Sequence, residues 1–224
     1  MAEQLSFDLP VRAALGRDDF FVAPANAQAV AMIEDWQGWP SRKLVLAGPP
    51  GAGKTHLAHV WAALSGATII DAADLAGADI AGLATGPVVV EDADRIAGSP
   101  PGEEALFHLH NLTLAEGHSL LLTAQSAPNF WPLALPDLAS RMQATTLANL
   151  RAPDDTLLAA LLMKLFADRQ LSPNPEVLPY LARRMDRSFD AARRLVANLD
   201  ETALSQGRPI TRAMAAKVLD NMSE

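Results

Sequence analysis

The stretch GPPGAGKT, residues 48–55, constrains this chain more than any other. It fits the pattern G-x-x-x-x-G-K-[S/T]. A short apolar run, KLVLAG (43–48), leads into it, and a helical pattern, KTHLAHVWAALSG, leads out and stops at Gly66. A glycine-rich loop between a buried strand and a helix start is the setting in which this pattern cradles phosphate. Gly51 and Gly53 let backbone N–H groups turn toward phosphate oxygens where a β-carbon would intrude. Lys54 brings a point charge to the β and γ phosphates. Thr55 offers a hydroxyl to Mg²⁺, and the helix N-terminus adds its partial positive charge. The expected ligand is ADP or ATP with Mg²⁺, held by Gly48, Pro49, Pro50, Gly51, Ala52, Gly53, Lys54, Thr55 and the adjoining His56.

A nucleotide triphosphatase also needs acids at the end of a second buried strand, and PVVVED (87–92) supplies Glu91 and Asp92. In such sites the first carboxylate serves the metal and the second polarises the attacking water. That makes Thr55 and Glu91 the expected metal residues and Asp92 the expected catalytic one. The usual order starts with Asp. Here a longer carboxylate stands first and a shorter one second, which shifts both distances, so nucleotide binding is expected with weak or no ATPase activity.

Further apolar runs, ATIID (67–71) and SLLLTA (119–124), join the two above. Helical patterns separate them, NAQAVAMIEDW precedes them, and EEALFHLHNLTLAEG lies between the last two. Strands alternating with helices predict an α/β fold with a parallel sheet flanked by helices. From Pro153 onward every pattern is helical. Ser188 and Thr211 are expected N-caps and Gly207 a terminator. The predicted organisation is a tail over 1–19, an α/β nucleotide-binding domain over 20–150 and a small all-helical domain over 151–224.

The charge pattern agrees with two unlike parts. Residues 1–150 carry 7 Lys/Arg and 16 Asp/Glu, whereas 151–224 carry 11 and 10. Five arginines fall between Arg183 and Arg194. A net charge of -8 argues against a protein that works by coating nucleic acid. The chain has no cysteine, which removes disulfides and thiolate ligands and fits a cytoplasmic setting. No secretory signal is visible. No apolar run approaches the length of about 18 residues that a membrane span needs, so no membrane partner is expected.

Before the α/β region stands QLSFDLP (4–10), with Leu5, Phe7 and Leu9 exposed in a stretch that has no helical or strand periodicity. Burying those three side chains gains roughly 5–9 kcal/mol. Ordering six or so residues costs about 6–12 kcal/mol. A single tail therefore binds weakly, and a homodimer or homo-oligomer would gain by avidity on a partner with repeated pockets.

Taken in order, these motifs resemble AAA+ proteins of the DnaA/Hda branch. FVAPAN (21–26) is similar to the segment before the first helix, where Asn26 would border the adenine. GKTHLAH (53–59) looks like that branch's phosphate loop. LFHLHNLTLAEG followed by LLLTA is similar to the helix and strand that carry the first sensor position, here Gln125 instead of the usual Asp or Asn. LPDLASRM (135–142) resembles the segment ending in an arginine finger, which the likeness assigns to Arg141. The helical region then corresponds to the AAA+ lid. Its second sensor falls on Asp190, with Arg193 or Arg194 one turn along as a substitute. An acid at that position implies either a preference for ADP or weaker nucleotide binding.

Within the branch, the tail resembles the sliding-clamp-binding peptide, with Gln4, Leu5, Phe7 and Leu9 as anchors. The chain stops where DnaA proteins continue into a DNA-binding domain. The resemblance thus implies an Hda-like negative regulator of replication initiation. It would bind the DNA-loaded sliding clamp of DNA polymerase III, touch DNA mainly through the clamp, and stimulate hydrolysis of DnaA-bound ATP with Arg141. The alternatives are a self-sufficient AAA+ remodeller or helicase loader using Asp92, and a nucleotide-stabilised clamp adaptor with no catalytic role.

Overall fold

The computed structural model describes residues 22–23 and 26–223, so the tail motif of Gln4, Leu5, Phe7 and Leu9 lies outside the described residues. Among those residues five strands form: β1 (Lys43–Ala47), β2 (Thr68–Asp71), β3 (Val88–Glu91), β4 (Leu120–Ala124) and β5 (Thr146–Asn149). All pair in parallel, in the order β2-β3-β4-β1-β5. The first four occupy the apolar runs read from the sequence. β1 and β4 are buried along their whole length, as central parallel strands covered on both faces are. β5 was not foreseen. Its TLAN is half polar and it pairs only with β1, at the sheet edge.

The strand period of two sorts the side chains onto two faces. Val45, Ala47, Val88, Val90, Leu120 and Leu122 point to one core, with α3 (Ile80–Leu83), α4 (Pro100–Ala115) and α5 (Pro136–Gln143) packed over them. Leu44, Leu46, Val89, Leu121 and Ala148 point to the other, covered by α1 (Ala27–Glu34) and α2 (Lys54–Ser65). On this second side Trp61 is fully buried, stacked on Trp39 at 5.1 Å and met edge-on by Trp36 at 6.1 Å. These tryptophans pack the core.

The rest of the chain forms α6 (Asp155–Asp168), α7 (Val177–Arg184), α8 (Phe189–Gln206) and α9 (Arg212–Ser223), which enclose a core of their own around Leu158, Leu162, Leu181, Leu195 and Leu199. Ser188 caps α8 by accepting from Ala191 N at 3.2 Å. Thr211 caps α9 from Met214 N at 3.3 Å, and Gly207 ends α8 at φ 58°. All three signals were legible in the sequence. The architecture is the expected one, a parallel sheet flanked by helices and followed by a helical bundle.

Candidate nucleotide site and arginine helix

The expected nucleotide-site residues gather mostly at the carboxyl ends of the strands, where open α/β sheets bind ligands. β1 runs into Gly48, whose N–H donates to Ala124 O at 3.1 Å, so the phosphate loop leaves the sheet beside the end of β4. A β-carbon at Gly48 would lie 2.6 Å from Leu150 O, so no larger residue fits there. Gly53 takes φ 96° as the loop turns into α2. Lys54 folds back over the loop, donating to Gly48 O at 2.8 Å and Pro49 O at 3.1 Å.

A cavity of about 390 Å³ opens above this loop, lined by Pro50, Gly51, Gly53, Lys54, Thr55, His56, Asp92, Gln125, Phe189, Asp190 and Arg193. Nine of the residues predicted from sequence thus meet in one place, while Ala52 is buried beneath the loop. Burial pushes the Lys54 ammonium below its ordinary value, and Asp92, Asp94, Asp190 and Glu91 pull it back up. Four acids facing one lysine leave the cavity short of positive charge. Arg193 adds some, held 3.2 Å from His56 Nδ1 and 4.0 Å from Asp190. Arg193, the expected substitute for a second-sensor arginine, lines the same cavity as the phosphate loop.

Not every predicted residue joins the lining. Asn26 is buried and turns its Oδ1 to Ala23 N at 2.8 Å, where it closes the turn into α1. Glu91 stays outside the lining with its Oε1 buried and without a hydrogen-bond partner. Asp94, which sequence reading passed over, has an Oδ1 in the same condition, while its Oδ2 accepts from Gln125 N at 3.0 Å. Buried carboxylate oxygens without partners are costly, and a divalent cation is the kind of group that satisfies them. Among the described residues, however, no three acids gather into a metal site of their own, so the acids fit Mg²⁺ only as partial ligands beside Thr55.

The lid meets the loop directly. Phe189 N donates to Gly51 O at 2.8 Å, and a β-carbon at Gly51, whose φ is +70°, would fall 1.9 Å from Ser188 Oγ. Glycine is required there by both the backbone and the neighbour. The sequence marked Gly51 for phosphate; its contact with the lid needed the tertiary fold.

Arg141 lies apart, in the last turn of α5. Its side chain is exposed, with the guanidinium 5.0 Å from the centre of the Phe107 ring, and among the described residues no carboxylate pairs with it. The arginine cluster of the lid is spread over several tasks. Arg187 pairs with Asp155 at 2.7 Å, Arg184 lies over Tyr180, and Arg193 faces the cavity.

No protein-family model matches the chain. Among curated proteins it is similar to the chromosomal replication initiator protein DnaA of Caulobacter vibrioides, 27% identical over 87% of this chain and 45% of that protein. The corresponding protein of Thermomicrobium roseum is 23% identical over 90% of this chain and 48% of its own length. The chain therefore spans about half the length of the curated relatives it matches. Among solved structures, domain III of DnaA from Thermotoga maritima superposes with a TM-score of 0.80 at 18% identity, covering 95% of this chain and 98% of that domain. DnaA bound to AMPPCP and single-stranded DNA gives 0.71 at 17%, over 85% of this chain and 67% of that one. The RuvB Holliday junction branch migration motor of Thermotoga maritima gives 0.64 at 19%, over 80% and 61%. No helix among the described residues is long and apolar enough to cross a membrane. The sheet order, the phosphate loop, the lid and these likenesses agree: the chain has the fold of DnaA domain III and is similar in sequence to DnaA proteins.

Proposed function

We propose that this protein is an Hda-like regulator that binds ADP or ATP in the cavity above Gly48–Thr55 and turns Arg141 outward onto ATP held by DnaA. The observation that carries this reading is the state of Arg141: exposed, braced on an aromatic ring, unneutralised and outside its own phosphate cavity. A guanidinium so placed can stabilise charge developing on a neighbour's γ-phosphate, which for arginine fingers is worth on the order of 10³-fold or more in rate. Residues 20–150 act as the nucleotide module and 151–224 as the lid. Gly51, Gly53 and Thr55 offer backbone N–H groups to the phosphates, Lys54 neutralises them, and Arg193 and Gln125 approach from lid and sheet. Mg²⁺, when bound, shields phosphate charge, and Thr55 with Glu91 and Asp92 would hold it. The peptide Gln4, Leu5, Phe7 and Leu9 would tether the protein to the sliding clamp, so that it reaches DNA indirectly and works as a dimer or oligomer.

The test is turnover of DnaA-bound ATP with clamp loaded on DNA. The full chain raises that turnover, Arg141→Ala abolishes the rise while clamp binding persists, and deletion of residues 1–10 removes clamp binding but not nucleotide binding. Full stimulation by Arg141→Ala sinks the reading. A second reading, in which the chain hydrolyses its own ATP, is favoured by Asp92 and Gln125 lining the same cavity as Lys54. It requires turnover by the isolated protein that Asp92→Asn removes.

A further inference from the structure

We propose that Glu103, Phe107 and His110 of α4, acting with Lys43, form a rack that fixes where α5 presents Arg141, and are positioning residues for its action on a partner's nucleotide. This rests on the reading of Arg141 above. The three α4 residues are spaced i, i+4 and i+7, so they share one face of the helix. Each grips α5 at a different point.

Glu103 holds the entry. Only 1% exposed, its carboxylate accepts from Leu135 N at 2.7 Å and Ala134 N at 3.1 Å, immediately before the first residue of α5, and from Gly98 N at 2.9 Å. Phe107 holds the side chain, its ring lying under the Arg141 guanidinium. His110 holds the exit through Lys43. The Lys43 ammonium lies 3.2 Å from His110 Nε2 and donates to Arg141 O at 3.1 Å, while Thr145 Oγ1 donates to the same carbonyl at 2.8 Å. His110 Nδ1 lies 3.2 Å from Asn111 Oδ1, so a neutral ring protonated on Nδ1 makes both contacts at once.

This is more apparatus than packing requires. Leu138 and Met142 already bury α5 against the sheet, but apolar contact leaves a short helix free to slide and turn. Directional bonds at both ends remove that freedom. Burying a carboxylate and an ammonium to obtain them is costly, since among the described residues the two do not pair with opposite charges. The ring completes the arrangement. An acid holding Arg141 would have to be displaced before the guanidinium could take an oxyanion, whereas an aromatic face orients the cation and leaves its charge free.

The experiment uses the full chain in the DnaA-bound ATP assay with loaded clamp, recording maximal stimulation and the half-saturating concentration separately. Phe107→Leu is expected to lower maximal stimulation about tenfold or more with the half-saturating concentration and thermal melting unchanged. Phe107→Tyr, which keeps a ring, restores it. In the Arg141→Ala background Phe107→Leu costs nothing further, because its effect runs through the arginine. Lys43→Met lowers maximal stimulation in the same way; should that variant fail to fold, the Phe107 series decides alone. Full stimulation by Phe107→Leu where Arg141→Ala has none overturns the rack and leaves the reading of Arg141 standing. Stimulation retained by Arg141→Ala overturns that reading itself, and the rack with it.

Discussion

Lys54 and Lys43 stand near opposite ends of β1 and show two uses of one residue type. Lys54 lies past the carboxyl end, facing a cavity with Asp92, Asp94, Asp190 and Glu91 about it. Lys43 is the first residue of the strand, 7% exposed, with an imidazole and a carbonyl as partners and no carboxylate paired with it among the described residues. Burial lowers the pKa of both; near Lys54 the acids oppose the shift, while near Lys43 the Arg141 charge adds to it. One lysine is set to meet a ligand that brings negative charge. The other is an architectural bond to the end of a helix. A five-residue strand, about 17 Å long, thus links a ligand-facing end to a fixed one.

The sharpest way to break this contrast is to damage one end and look at the other. Glu103→Ala takes a buried charged acceptor from three partly buried N–H donors, and the expected loss is about 4 kcal/mol of folding stability. Urea denaturation measures it. Fluorescent-nucleotide titration of the folded fraction should find affinity unchanged, and a large fall in affinity would mean that the two ends are not separate. Gly51→Ala attacks the ligand end. A β-carbon at φ +70° and 1.9 Å from Ser188 Oγ must push the lid away, at about 3 kcal/mol, whereas Gly86→Ala, with open space around it, should be within about 0.5 kcal/mol of wild type. Differential scanning calorimetry of the two variants checks the pair, and equal melting temperatures would remove the lid contact from the account.

The smallest effect is a pH dependence belonging to the fixed end alone. Burial, with the Lys43 and Arg141 charges, lowers His110 from 6.5 to about 4, against the raising effect of its hydrogen bond to Asn111 Oδ1. The unfolded chain takes up a proton near pH 6.5 that the folded chain refuses until about pH 4. Its contribution to stability is therefore complete above 6.5 and declines on acidification, by about 2 kcal/mol at pH 5. Denaturation curves at pH 7 and pH 5 should show that decline in wild type and a smaller one in His110→Asn. Equal declines would remove His110 from the cause.

The two ends were unequally legible in the sequence. The phosphate loop is local: eight consecutive residues carry both its shape and its chemistry, and the strand and helix beside it read from periodicity alone. Glu103 and His110 looked like ordinary positions on an amphipathic helix, because their partners Leu135, Ala134 and Lys43 lie far away in the chain. Asp94 escaped for the same reason, its role resting on Gln125 at 31 residues' distance. Arg141 was found by resemblance, but nothing in LPDLASRM announces the ring beneath it. Strands followed the same rule: uniformly apolar β1 and β4 were plain, and the half-polar edge strand β5 was not.

The clasp between Gly51 and the start of α8 has a mechanical meaning. α8 is 18 residues long, a stiff rod of about 27 Å, and its first turn is pinned to the loop that would grip phosphate. A rotation of about 5° at that pin sweeps Gln206 through roughly 2 Å. The helix would act as a pointer with its pivot at Gly51, so a tilt too small to alter the sheet would be magnified at Gln206, on the exposed end of the lid.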